Sequence, residues 1–210
     1  MSRVRAFGFR GAVGELEGLW KEATPPKRGS AVFAHPHPLH GGTLHNKVVF
    51  RAARALTDSG YDTLRFNFRG VGASAGRHDG GAGETEDFRA ALDEAERRGG
   101  LPMVAGGFSF GSAVALRATA SDRRVMAYLG IGLPVATEPR GAWTLPAVPA
   151  LFVVGEEDRF GPPEDLRRIV GDTSRIVVIP GADHFFEGRL DQLEWAIAEF
   201  LAELPVEAVG

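Results

Sequence analysis

Cysteine is absent from all 210 residues. That excludes disulfides, thiolate nucleophiles and Cys-ligated metal centres. Long apolar runs are absent too: none approaches the ~18 residues that a membrane helix needs. The opening "MSRVRAFGFRGAVGELEG" lacks the continuous apolar stretch of a secretory signal. Positive charge is not in excess, since 24 Lys and Arg face 27 Asp and Glu for a net charge of −3. No positive field is therefore available to hold nucleic acid or anionic lipid. The expectation is a soluble, cytoplasmic protein with no nucleic-acid partner and no membrane partner.

What is present is ordinary for a globular chain: 44% hydrophobic and 24% charged residues, enough to bury a layered core without staples. The length suits one large domain, expected over residues 1–210. Short apolar runs ("SAVFAHPH", "YDTLRFNFRG", "LPMVAGGF", "RVMAYLGIGL", "ALFVVGEED", "SRIVVIPGAD") alternate with amphipathic stretches ("NKVVFRAARALTDSG", "ETEDFRAALDEAERRG", "GSAVALRATAS", "PPEDLRRIVG", "LDQLEWAIAEFLAEL"). Two further strands are expected at "VRAFGFRG" and "GELEGLWKEA". Continuous apolar strands alternating with helices predict an α/β protein, a mostly parallel sheet covered on both faces. The proline-rich "PVATEPRGAWTLPAVP" reads as a loop.

The pattern G-x-S-x-G occurs twice, at Gly107–Gly111 and at Gly72–Gly76. Two matches in one chain make the bare pattern weak, and context separates them. Ser109 stands between an apolar strand and a helix of small residues, where a nucleophile elbow exposes its serine at a strand tip. Gly107 and Gly111 remove Cβ atoms where strand and helix pass closest. Ser74 is followed by "RHDGGAG", which starts no helix, so it reads as a loop serine. The same loop matches G-x-G-x-x-A, but without a helix opening on the glycines a dinucleotide site is not expected.

A serine hydroxyl needs a base, and that base needs a carboxylate to fix its tautomer. His184 in "PGADHFFEG" is the only histidine after residue 109. It lies just beyond a strand end, where ligand chemistry gathers in open α/β sheets. "VVGEEDRF" offers Glu156, Glu157 and Asp158 at another strand end. Asp158, furthest into the loop, is the expected acid; Asp183 adjoins His184 and is poorly placed to reach its ring from behind. Upstream, "HPHPLHGGTLH" packs His35, His37, His40 and His45 into eleven residues. Prolines 36 and 38 stiffen that loop and no carboxylates accompany it, so no metal is expected. An oxyanion hole is the better reading. It takes one N–H from the residue after the nucleophile, Phe110, and one from this loop. Pro36 and Pro38 have no N–H, which leaves His37, with Leu39 as runner-up.

"HPHPLHGGTLHNKVV", "TLRFNFRGVGASAG", "GFSFGS", "VVGEED" and "PGADHFFEGRL" resemble the small, lidless α/β-hydrolase-fold serine hydrolases, the bacterial esterase-like proteins. The matching blocks run in order from about residue 30 to 200. The resemblance implies an α/β-hydrolase fold with a Ser109, Asp158, His184 triad and backbone donors at Phe110 and His37. It implies hydrolysis of a small-molecule carboxylic ester without a cofactor, although many members have no known natural substrate. About 15 residues separate "YLGIGL" from "ALFVVG", too few for a cap domain, so an open pocket with weak discrimination and short acyl groups is expected. Phe110, Phe185, Phe186 and Trp143 are candidates for its walls, the plainer reading being that they are core. A thioesterase, amidase or peptidase could use the same residues. A non-catalytic binding module on the same fold would need none of them.

Overall fold

A computed structural model describes residues 4–137, 143–171 and 174–205. The expected proline-rich loop falls partly outside them, at 138–142. The strands are β1 (Val4–Gly11), β2 (Gly14–Lys21), β3 (Gly29–Ala34), β4 (Tyr61–Phe66), β5 (Met103–Phe108), β6 (Val125–Ile131), β7 (Ala150–Gly155) and β8 (Arg175–Ile179). The helices are α1 (Lys47–Asp58), α2 (Ala82–Gly99), α3 (Phe110–Thr119), α4 (Pro163–Val170) and α5 (Leu190–Glu203). All eight strands form one sheet in the order β1-β2-β4-β3-β5-β6-β7-β8. β1 and β2 pair antiparallel, β2 meets β4 antiparallel, and the remaining pairs are parallel. This is the mostly parallel α/β-hydrolase fold with helices on both faces.

Every residue of β3, β4, β5 and β7 is buried. That is why β5 and β7 read as unbroken apolar runs rather than alternating ones, whereas β4 buries Asp62, Thr63 and Arg65 as well. α1 and α5 cover one face, packing Val48, Val49, Leu56, Leu193 and Ile197 onto Phe33, Val104 and Leu151. α2, α3 and α4 cover the other, packing Phe88, Leu92, Val114 and Leu166 onto Val32, Leu64, Ala105 and Phe152. α1 begins where Asn46 Oδ1 accepts the N–H of Val48 at 2.9 Å, a side-chain cap for an otherwise unpaired donor.

α2 starts earlier than the Glu84 expected from the sequence, at Ala82. Asp79 accepts the N–H of Gly83 at 2.8 Å, and Glu84 reaches back to the N–H of Gly81 at 2.7 Å. These bonds satisfy the first-turn donors of a helix whose opening "GAG" carries no helical signal of its own.

β3 has β4 on one side and β5 on the other, so the chain reverses its direction of travel across the sheet there. Such a switch leaves a crevice at the carboxyl ends of the strands. The loops after β3 and β5 open into it. Between Ile131 and Ala150 lie only 18 residues, numbers 132–149, and no cap domain stands over the crevice among the described residues.

Candidate active site

Ser109 sits between the last residue of β5 and the first of α3 with φ 54° and ψ −121°. Positive φ is unfavourable for any residue with a Cβ, at a cost of order 1–3 kcal/mol. The surrounding packing imposes it. A Cβ on Gly107 would stand 2.4 Å from the backbone of Gly111, and one on Gly111 would stand 2.4 Å from the carbonyl oxygen of His35. The two glycines thus allow helix α3 to press against both its own strand and the end of β3. Ser109 donates its backbone N–H to Ile131 at 2.8 Å, and its side chain is left in the crevice, half-buried.

His184 and Asp158 reach the same point from the ends of β8 and β7. His184 Nε2 lies 2.9 Å from Ser109 Oγ, and His184 Nδ1 lies 2.8 Å from Asp158 Oδ2. Asp158 is 3% exposed and His184 6%. The second oxygen of Asp158 accepts the N–H groups of Phe160 at 2.9 Å and Gly161 at 3.0 Å. An acceptor-only carboxylate at Nδ1 places the ring proton there and leaves Nε2 free to accept from the serine hydroxyl. Phe160, Phe108 and Phe185 pack around the imidazole, with ring centroids at 4.7, 5.1 and 5.3 Å.

The other carboxylates of the same loops are occupied elsewhere. Glu156 accepts from the N–H of Gly181, Glu157 is exposed, and Asp183 accepts from Phe185 and Glu187 N–H within its own turn. Ser74 is far from this chemistry in role: its hydroxyl accepts from Glu17 N–H at 2.9 Å and donates to the carbonyl of Asn67 at 2.7 Å.

The loop after β3 is fastened from both sides. His35 is buried; its Nδ1 donates to the carbonyl of Pro36 at 2.7 Å and its Nε2 accepts from Phe68 N–H at 3.1 Å. Burial holds this imidazole down to a pKa of about 4, against a smaller opposing effect of the bond to Pro36. Asn67 Oδ1 accepts from Leu44 N–H at 2.8 Å, and Arg65 donates to the carbonyl of Leu44 at 3.0 Å. These contacts hold His37 over Phe110, with ring centroids 5.0 Å apart. Phe110 is the first residue of α3, so its N–H has no acceptor within its own helix. Leu39, by contrast, gives its N–H to His37 Nδ1 at 3.2 Å and leaves its side chain 70% exposed. Its N–H is committed to the short 3-10 turn, Pro38–His40.

A cavity of about 410 Å³ collects these groups, lined by His37, Ser109, Phe110, His184, Phe160 and Phe185 among others. The expected aromatic wall needs correction. Phe110 and Phe185 do line it, but Phe186 is fully buried in the core beneath α5, and Trp143 packs against the opposite core cluster. Phe160 takes the wall position that the sequence reading missed; its place next to a loop acid was the available signal. His78 was missed as well. It lines the same cavity and lies 4.9 Å from His37 and 5.6 Å from Phe110, ring to ring. Among the described residues no group of three or more His, Asp or Glu side chains is suited to hold a metal ion, and no helix is long and apolar enough to cross a membrane.

The sequence profile of the alpha/beta hydrolase domain matches residues 28–196. The chain is 34% identical over 206 residues to an uncharacterized protein of Rickettsia prowazekii (strain Madrid E), covering 92% of this chain and 87% of that one. It is similar to the structure of an alpha-beta serine hydrolase homologue from Coxiella burnetii, with 37% identity, a TM-score of 0.87, and 93% and 96% of the two chains covered. It is also similar to an α/β serine hydrolase without lid from Xanthomonas campestris, with 31% identity, a TM-score of 0.88, and 98% and 97% covered.

Proposed function

The chain belongs to the alpha/beta hydrolase family, and from that premise we propose that it is a serine hydrolase acting on small carboxylic esters through Ser109, His184 and Asp158. The observation that supports this most is the continuous line of hydrogen bonds from Asp158 Oδ2 through His184 to Ser109 Oγ, at 2.8 and 2.9 Å. His184 takes the hydroxyl proton as Ser109 Oγ bonds to the ester carbon. Collapse of the tetrahedral intermediate breaks the carbon–oxygen bond, and His184 returns the proton to the departing alkoxide. Water, deprotonated by the same imidazole, then releases the acid and regenerates the serine. The N–H groups of Phe110 and His37 are the donors for the intermediate's oxyanion.

A non-catalytic binding module would need neither a strained serine nor this hydrogen-bonded line, and both have a cost. Thioesters, amides and peptides would pass through the same steps. Amides present a poorer leaving group, so esters are the better reading. Among the described residues no cap covers the cavity of about 410 Å³. Each methylene contributes ~0.8 kcal/mol only when removed from water, so short acyl groups suit it best. The test is kcat/KM on nitrophenyl esters from acetate to palmitate, with Ser109→Ala as control. Turnover of the short esters that is lost in the variant is expected. Near-normal activity of Ser109→Ala would overturn the role of that serine, and a rise continuing to palmitate would overturn the short-acyl preference.

A further inference from the structure

Four of the chain's six histidines line this one cavity. His184 belongs to the line of three. The other three form a cluster at the Phe110 side: the ring of His37 stacks on His40 with centroids 4.5 Å apart and planes 21° apart, and stands 4.9 Å from His78. No Asp, Glu, Lys or Arg is among the described residues lining the cavity, although the chain carries a net charge of −3. A lining that gathers imidazoles suits a ligand that accepts hydrogen bonds and carries negative charge.

Resting on the reading of Ser109 as nucleophile, we propose that His37, His40 and His78 form a carboxylate subsite, and that the preferred substrates are half-esters of short dicarboxylic acids. Geometry assigns the carboxylate to the acyl side. The leaving oxygen must come within reach of His184 Nε2, which is walled by Phe160 and Phe185. The alcohol part therefore takes that side. The acyl chain runs the other way, over Phe110, and ends among the three imidazoles.

Each ring has a distinct part. Nδ1 of His37 accepts the N–H of Leu39, so that ring is neutral and donates through Nε2. Burial holds His37 below its ordinary range, and the neighbouring His40 and His78 push the same way. Nδ1 of His78 is bonded to Glu84 Oε1 at 2.7 Å, which leaves Nε2 for a ligand. His40 is exposed and stacks outside His37.

Among the described residues, the charged side chains nearest the cluster lie behind or beside it, Arg77 next to His78 in sequence. Glu84 is buried behind His78, and Asp79 is tied to Gly83 N–H and to Arg69. The Arg117 guanidinium of α3 lies beside Gly81. His35 is buried behind the loop, and His184 lies across the cavity. A bound carboxylate would meet the ring N–H donors of His37, His40 and His78 with no like charge among the described lining residues to repel it.

The experiment compares kcat/KM for monoethyl glutarate and ethyl butyrate by release of ethanol. Their ratio cancels the steps at Ser109 and His184 that both esters share. The expected ratio is about tenfold in favour of the half-ester. In the double variant His40→Gln, His78→Gln the preference is lost. A ratio of one or below, or a preference indifferent to the double substitution, overturns the subsite. If neither ester is hydrolysed, the esterase reading fails instead. Calorimetry with glutarate alone then decides the subsite: binding that the double variant loses supports it, and no binding overturns it.

Discussion

Replacing Asp158 by asparagine should inactivate the protein by trapping His184 in the wrong tautomer. Asp158 Oδ1 accepts two backbone N–H groups, from Phe160 and Gly161, while Oδ2 faces His184 Nδ1. The Asp158→Asn amide has one oxygen to share. Turning its NH₂ toward the two backbone donors would leave them unpaired in a buried site, at about 1–3 kcal/mol each. The orientation with oxygen on the backbone is thus favoured by at least about 2 kcal/mol, roughly thirtyfold. Its NH₂ then points at Nδ1, which must accept. The ring proton moves to Nε2 and points at Ser109, which can no longer give up its own. The same exchange in a Ser-His-Asp enzyme costs about 10⁴ in turnover, and a loss of that order is expected here. KM should move little, because Asp158 is buried and does not line the cavity. Stopped-flow release of nitrophenol from nitrophenyl acetate reads the acylation step directly, with a thermal melt to check folding. A loss under about tenfold in a folded variant would refute the reasoning, the more so if the exposed Glu157→Gln were the inactivating change.

Gly111→Ala should reduce turnover at least about 100-fold, since its Cβ would lie 2.4 Å from the His35 carbonyl and α3 must shift, carrying Ser109 with it. Urea unfolding should show a loss of about 1–3 kcal/mol for the same variant. His35 has a folded-state pKa of about 4, below its ordinary unfolded value, so its contribution to stability is complete above about pH 6.5 and is lost as pH falls toward 4. That amounts to about 3 kcal/mol at ~1.4 kcal/mol per pH unit, and urea titrations of wild type and His35→Gln should differ in slope across that window and not above it. Ser74→Ala should keep ester turnover near wild type but lower stability by about 1–3 kcal/mol, because Glu17 N–H and the Asn67 carbonyl lose their partner.

The legible part of the fold and site was the part that local chemistry constrains. Strands β5 and β7 announce themselves because burial on both faces forces unbroken apolar runs. Ser109 stands out because its tight turn admits only glycine at 107 and 111. His184 had no rival downstream, and Asp158 stood at the right strand end. What stayed hidden was decided by long-range packing. His78 joins His37 and His40 only because the loop from Asn67 to Gly81 is folded back by Ser74, Glu17 and Glu84. Nothing in "GRHDGG" distinguishes it from an ordinary surface histidine. Phe185 and Phe186 are adjacent in sequence, yet one lines the cavity and the other fills the core. The backbone turn at Phe186, with φ 55°, decides which. The histidine-rich loop looked like one cluster but divides in space: His35 is a buried fastener, while His37 and His40 face the cavity.

The central claim is that His184, oriented by Asp158, makes Ser109 a nucleophile. Intact-mass analysis after exposure to a fluorophosphonate tests it most directly. One adduct per chain is expected, located at Ser109 by peptide mapping, lost in Ser109→Ala and strongly slowed in Asp158→Asn, with no label on Ser74. A folded wild-type protein that takes no label at Ser109, or takes it equally at Ser74, would contradict the claim.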